Sequence, residues 1–114
     1  MQMDKAAEFR KRVDALRPKF VAALTTRLDR IDANIPRLDG AGADEALEEI
    51  RFDIHKTAGA AAAFGLRDLG SDAAETSLTL TGYQAGKGTV DRDTLDASIR
   101  GFADTLRQTL RELS

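Results

Sequence analysis

The sequence predicts an all-α protein: an antiparallel up-down four-helix bundle with a short extra N-terminal helix, in a single domain over residues 1–114. Three observations lead there. Alanine, leucine, aspartate and arginine are the commonest residues, and aromatic residues are only 5% of the 114, a composition rich in the two strongest helix formers. Apolar residues recur at steps of three and four, and no stretch alternates as a strand would. Proline and glycine then divide the chain into segments of about 20 residues, each about 30 Å long as a helix, a natural bundle length.

The elements follow in order. Ala6, Phe9, Val13, Leu16 and Phe20 mark the first apolar stripe. Pro18 lacks an N–H and crowds the turn before it, so a break is expected there, with residues 1–17 as the extra helix and the bundle over 18–114. Val21, Leu24, Leu28, Ile31, Ile35 and Leu38 continue as a second helix to about residue 35, which Pro36 and Asp39-Gly40-Ala41-Gly42 end. The third helix spans about 43–64, with Leu47, Ile50, Ile54, Ala58, Ala61 and Phe64 inward and Gly65 placed for a left-handed cap. The fourth spans about 66–85, with Leu66, Leu69, Ala73, Leu80 and Tyr83 as core positions; its Thr76–Thr81 run reads as surface and packing. Gly86-Lys87-Gly88 forms a turn, Thr89 or Asp91 caps the last helix, and Leu95, Ile99, Phe102, Leu106, Leu110 and Leu113 form its stripe.

Composition excludes several functions. There is no cysteine, which removes disulfides, thiolate metal sites and cysteine nucleophiles, and one histidine cannot make a two-histidine zinc motif. The net charge of -2 gives no electrostatic reason to expect nucleic-acid binding. No apolar run reaches the roughly 18 residues of a membrane span, and the N-terminus turns charged at once, so a cytoplasmic location is expected. The charge is uneven. Residues 1–38 carry nine basic and five acidic side chains, and residues 39–86 carry three and nine. Such an imbalance reads as solvated helix faces, or as a basic first third that meets an acidic partner surface.

The chemical interest centres on His55. Ile54 and Ala58 face inward, so His55 is turned about 100° from Ile54 toward the edge of the buried face. Gly59 lies one turn on. A large residue there would lean over His55, and glycine in a helix costs roughly 1 kcal/mol against alanine. The glycine therefore indicates a surface that something approaches, or a close helix–helix packing. Ala60, Ala62 and Ala63 keep the neighbouring surface low. Neutral imidazole is nucleophilic near neutral pH and can take a phosphoryl group from an acyl phosphate by in-line displacement. Asp53 lies on a different face from His55, and Glu48 and Glu49 face water, so no acid–base pair is assigned.

At these residues the sequence resembles the histidine-containing phosphotransfer (HPt) domains. Their motif is His-x-Leu-Lys-Gly, followed by small residues and a second glycine. His55 matches the phosphoacceptor, Gly59 the glycine four residues on, and Gly65 the glycine ten residues on; Phe64-Gly65-Leu66 and Leu69 resemble the junction into the next helix. The resemblance covers about 18–112. The sequence departs from the motif at two positions. Ala58 stands where the family has lysine, and Thr57 replaces an aliphatic residue. Lys56 is the nearest substitute cation, at a different angle.

The resemblance implies a free-standing, monomeric phosphocarrier of a bacterial two-component phosphorelay, without autonomous catalytic machinery. It would accept a phosphoryl group on His55 from the aspartyl phosphate of a response regulator receiver domain and pass it to another. A hybrid histidine kinase would stand upstream. No cofactor, metal, nucleic acid or membrane is implied for this chain; Mg2+ belongs to the partner receiver. The docking surface would comprise Arg51, Phe52, Lys56, Ala58, Gly59, Ala62 and Ala63, joined by Arg27, Arg30 and Asp32 of the second helix. The alternatives are a non-catalytic helical adaptor, a docking-only relative that binds receivers without efficient transfer, and an enzyme with a buried pocket.

Overall fold

The computed structural model describes residues 5–86, 88 and 90–113. Residues 1–4 and 114, and the turn and cap positions Lys87 and Thr89, lie outside the described residues. Four α-helices follow one another: α1 (Lys5–Asn34), α2 (Ala43–Ala63), α3 (Arg67–Gln84) and α4 (Arg92–Leu113), with a short 3-10 turn (Pro36–Asp39) after α1. They stand in a square. Each helix packs on its sequence neighbours, α4 closes onto α1, and among the described residues the diagonal pairs α1/α3 and α2/α4 do not approach. The expected all-α four-helix bundle is what forms.

The predicted stripes meet along the axis. Leu24, Ile31, Ile50, Ile54, Leu69, Leu80, Leu95, Ile99, Phe102 and Leu106 are almost wholly buried. The small side chains let the helices close up, since a Cβ on Gly70 of α3 would meet the Ala61 Cβ of α2 at 3.7 Å.

The helix ends follow local chemistry. Gly65 takes φ 69°, and the N–H groups of Leu66 and Gly65 donate to the carbonyls of Ala61 and Ala62 at 2.9 and 3.4 Å. Only glycine adopts that left-handed conformation freely, so α2 stops there and α3 turns back within three residues. At the other end Asp91 accepts from the Thr94 N–H at 2.7 Å and caps α4. These bonds hold the Asp91 carboxyl below its ordinary value, the Thr94 side chain contributing most. Arg92 reaches back to the Leu38 carbonyl (2.6 Å) and the Asp39 carboxylate (2.9 Å), pinning the turn after α1 to the start of α4.

The break expected at Pro18 is absent. Pro18 lies inside α1, and the separate N-terminal helix is the first half of one 30-residue helix. Proline leaves the carbonyl four residues earlier without its donor. Here that carbonyl belongs to Asp14, and both residues are exposed, where solvent can serve in place of the missing donor, and the helix continues.

Candidate functional site

Rotation around α2 assigns each residue a job. Ile50, Ile54, Thr57 and Ala61 point into the core. Arg51, Phe52, His55, Lys56, Gly59, Ala62 and Ala63 form an exposed outer strip. Thr57, in place of an aliphatic residue, is fully buried, and its hydroxyl donates to the Asp53 carbonyl at 2.7 Å. The substitution therefore leaves no unsatisfied donor in the core.

His55 is exposed, and among the described residues no hydrogen bond or ion pair engages its ring. It opens onto a groove of ≈ 400 Å³ between α2 and α3, shared with Glu48, Arg51, Phe52, Ser77 and Thr81. One exposed apolar side chain, Phe52, lines this groove, and a second, Leu78, follows a groove residue along α3. Phe52 on α2 is 52% exposed, and Leu78, next to Ser77 on α3, is 73% exposed. Gly59 is open as well: a Cβ there would meet nothing within 4 Å. The packing explanation of that glycine is thereby removed, and the open surface remains.

The cations divide unevenly. The Lys56 ammonium sits 5.4 Å from the centre of the Phe52 ring, a cation–π contact. Arg51 lines the His55 groove instead. It donates to Gln84 at 3.4 Å and lies 3.8 Å from the Glu48 carboxylate, which Gln84 also contacts at 2.7 Å. Ala58, at the family's lysine position, is half-buried on the α3 side and borders an adjoining hollow of ≈ 560 Å³ with Gly65, Arg67 and Gly70.

The neighbour of the His55 face differs from the expectation. Arg27, Arg30 and Asp32 were expected beside it from the preceding helix, yet the element sharing its groove is α3. Two residues correspond to about 160° around a helix, so Asp53 faces α1 while His55 turns toward α3. Asp53 is 1% exposed, with its Oδ2 3.3 Å from the Arg30 Nε. Burial pushes its carboxyl above the ordinary value, and Arg30 and then Arg27 oppose that shift. Asp32 turns further away, accepting from Arg107 of α4 at 3.1 Å. Ser77 and Thr81 are the groove residues sequence reasoning missed. The available signal was the small-residue spacing of Gly70, Ala74, Ser77 and Thr81, which lays one low stripe along α3.

Among the described residues no three histidine, aspartate or glutamate side chains cluster as metal ligands, and no helix is long and apolar enough to cross a membrane. A family model described as the Hpt domain matches residues 8–114. No curated protein and no solved structure matches the chain.

Proposed function

The chain belongs to the Hpt domain family, whose members carry out histidine phosphotransfer in phosphorelays, and on that premise we propose that His55 is its phosphoacceptor. A lone pair on a ring nitrogen of neutral His55 attacks the phosphorus of a receiver aspartyl phosphate in line. The N–P bond forms as the acyl O–P bond breaks, and the aspartate leaves as carboxylate. Return of the group to a second receiver runs the same step backward. The observation that carries this reading is an exposed histidine, without a hydrogen-bond partner among the described residues, beside a helical glycine whose surface is open. A receiver must bring its aspartate, held in a pocket, down onto that nitrogen, and the low strip of Gly59, Ala62 and Ala63 gives it room.

The contacts would come from Phe52, with Arg51 as the cation that shares the groove with His55. Mg2+ would arrive with the receiver. The chain would act as a cytoplasmic monomer, between a hybrid kinase and a response regulator.

The test is mass analysis of the intact chain after mixing with a panel of phosphorylated receiver domains, beside His55→Gln. One acid-labile phosphoryl group on the parent and none on the variant is the expected result. Binding without transfer from any receiver would replace the phosphocarrier with a docking-only protein. Transfer that survives His55→Gln would move the acceptor elsewhere.

A further inference from the structure

A second surface lies far from His55, on the part of α1 that outruns the bundle. The Phe20 ring stacks on Phe64, at the C-terminal cap of α2, with centroids 3.9 Å apart. That contact marks the end of the bundle. Residues 5–19 continue beyond it for about 22 Å as helix. The overhang gives the molecule its 61 × 24 × 20 Å shape, and the radius of gyration of 16.3 Å exceeds the roughly 13 Å of a compact chain this long.

The overhang has a sharply defined pattern. Ala6 and Val13 fall at heptad positions a, and Phe9 and Leu16 at d, in register with buried Phe20 at the next a. Phe9 is 62% and Leu16 50% exposed. The e and g positions beside this seam are Lys5, Arg10, Arg12, Arg17 and Lys19, basic in every case. The overhang's acidic residues, Glu8 and Asp14, stand at c and b, and Asp14 pairs with Arg17 at 3.3 Å on the exposed surface.

We propose that this overhang is a docking seam for an amphipathic helix of a partner protein whose own apolar stripe is bordered by aspartate and glutamate. A 3-4 apolar spacing is the seam a second helix packs into, and the e and g charges choose the partner. A second copy of this chain is the wrong one. Parallel pairing sets g against e and antiparallel pairing sets g against g and e against e, and each places basic on basic. A membrane surface is also a poor match, because the apolar stripe occupies two positions in seven rather than a broad face.

The experiment titrates the full chain with two three-heptad helical peptides, leucine at every a and d, with glutamate in one and lysine in the other at every e and g. Phosphatidylglycerol vesicles form a third arm. The glutamate peptide should bind at least about tenfold more tightly than the lysine peptide, and salt should weaken that binding. Phe9→Glu with Leu16→Glu should abolish it. Arg10→Glu, Arg12→Glu and Arg17→Glu together should transfer the preference to the lysine peptide. All these residues lie outside the bundle, and circular dichroism of each variant checks that the fold is kept. Equal affinity for both peptides, no binding of either, or tighter binding to vesicles would overturn the proposal. So would a dimer of the chain in sedimentation that the Phe9→Glu change disperses.

Discussion

Replacing Gly59 separates what the fold needs at that position from what a partner needs. Glycine in a helix interior is less stable than alanine by about 0.8–1.0 kcal/mol. No steric cost offsets that gain, because an added Cβ meets nothing within 4 Å and Gly59 is outside the positive-φ set. For a domain of this size, 1 kcal/mol corresponds to a rise in Tm of roughly 4–6 °C. Gly59→Ala should therefore melt higher than the parent by about that amount. Gly101 provides the control: it is exposed on α4, diagonally across from α2, and its Cβ position is equally open. Gly101→Ala should give the same stabilisation and leave phosphotransfer untouched. Gly59→Leu should also melt higher, yet its side chain leans over the turn carrying His55. Transfer from a phosphorylated receiver should then fall at least about tenfold, equivalent to roughly 1.4 kcal/mol. The assays are a thermal melt by circular dichroism and a transfer time course. A Gly59→Ala protein that melts lower than the parent would mean the fold requires the glycine. A Gly59→Leu protein that transfers at the parental rate would mean that receivers do not approach over this face.

Four further outcomes follow from the same geometry. Ala58→Lys should speed transfer, and Arg51→Ala should slow it several-fold; a time course in which neither moves the rate would mean that neither position meets the charge of the transferred group. Pro18→Ala should raise the urea midpoint, by at most the roughly 3 kcal/mol that proline costs in a helix, because it restores the donor to the Asp14 carbonyl in an already continuous helix; a lowered midpoint would mean that the proline is needed there. Asp53 has a raised carboxyl pKa in the folded state, so the folded chain holds a proton that the unfolded chain has lost. Stability should then fall, relative to Asp53→Asn, as pH rises from the ordinary carboxylate value through the folded one, and urea titrations showing a pH-independent difference would contradict this. Phe9→Glu with Leu16→Glu should leave transfer from an isolated receiver domain at the parental rate, and a loss of transfer would join the two surfaces into one.

What the sequence made legible was mostly local. Gly65 announces its left-handed cap because few other residues tolerate that backbone, and Asp91 announces its own cap because its carboxylate reaches the N–H three residues on. Apolar spacing places Ile50, Ile54, Leu95 and Ile99 in the core because burial needs one face of each helix. Pro18 misleads because its cost depends on whether the orphaned carbonyl meets protein or water, and the sequence does not say which. The side of α2 that borders His55 is likewise a matter of how far neighbouring helices wrap around it. The 160° between Asp53 and His55 was readable, but which of α1 and α3 lay on which side was not. Ser77 and Thr81 passed as ordinary helix surface for that reason, and they line the groove of the candidate acceptor.

The exposed large apolar side chains point to a division of labour. Phe9, Leu16, Phe52 and Leu78 are those side chains, and they sort into two places. Phe52 lines the groove of His55 with Glu48 and Arg51, and Leu78 follows Ser77 of that groove on α3. Phe9 and Leu16 line the overhang with basic side chains at every flanking e and g position. Phe64 lies nine residues beyond His55 on α2, and Phe20, stacked on it, lies eleven residues beyond Phe9 on α1. At 1.5 Å per residue Phe9 lies about 30 Å, and Leu16 about 20 Å, from His55 along the bundle. A phosphocarrier face must release each receiver after transfer, which favours a small contact with mixed charge. A heptad seam with five like charges has the opposite character, selective and suited to a longer-lived helix partner. A partner held on the overhang would keep any receiver joined to it near His55, raising its effective concentration without strengthening the transient contact itself.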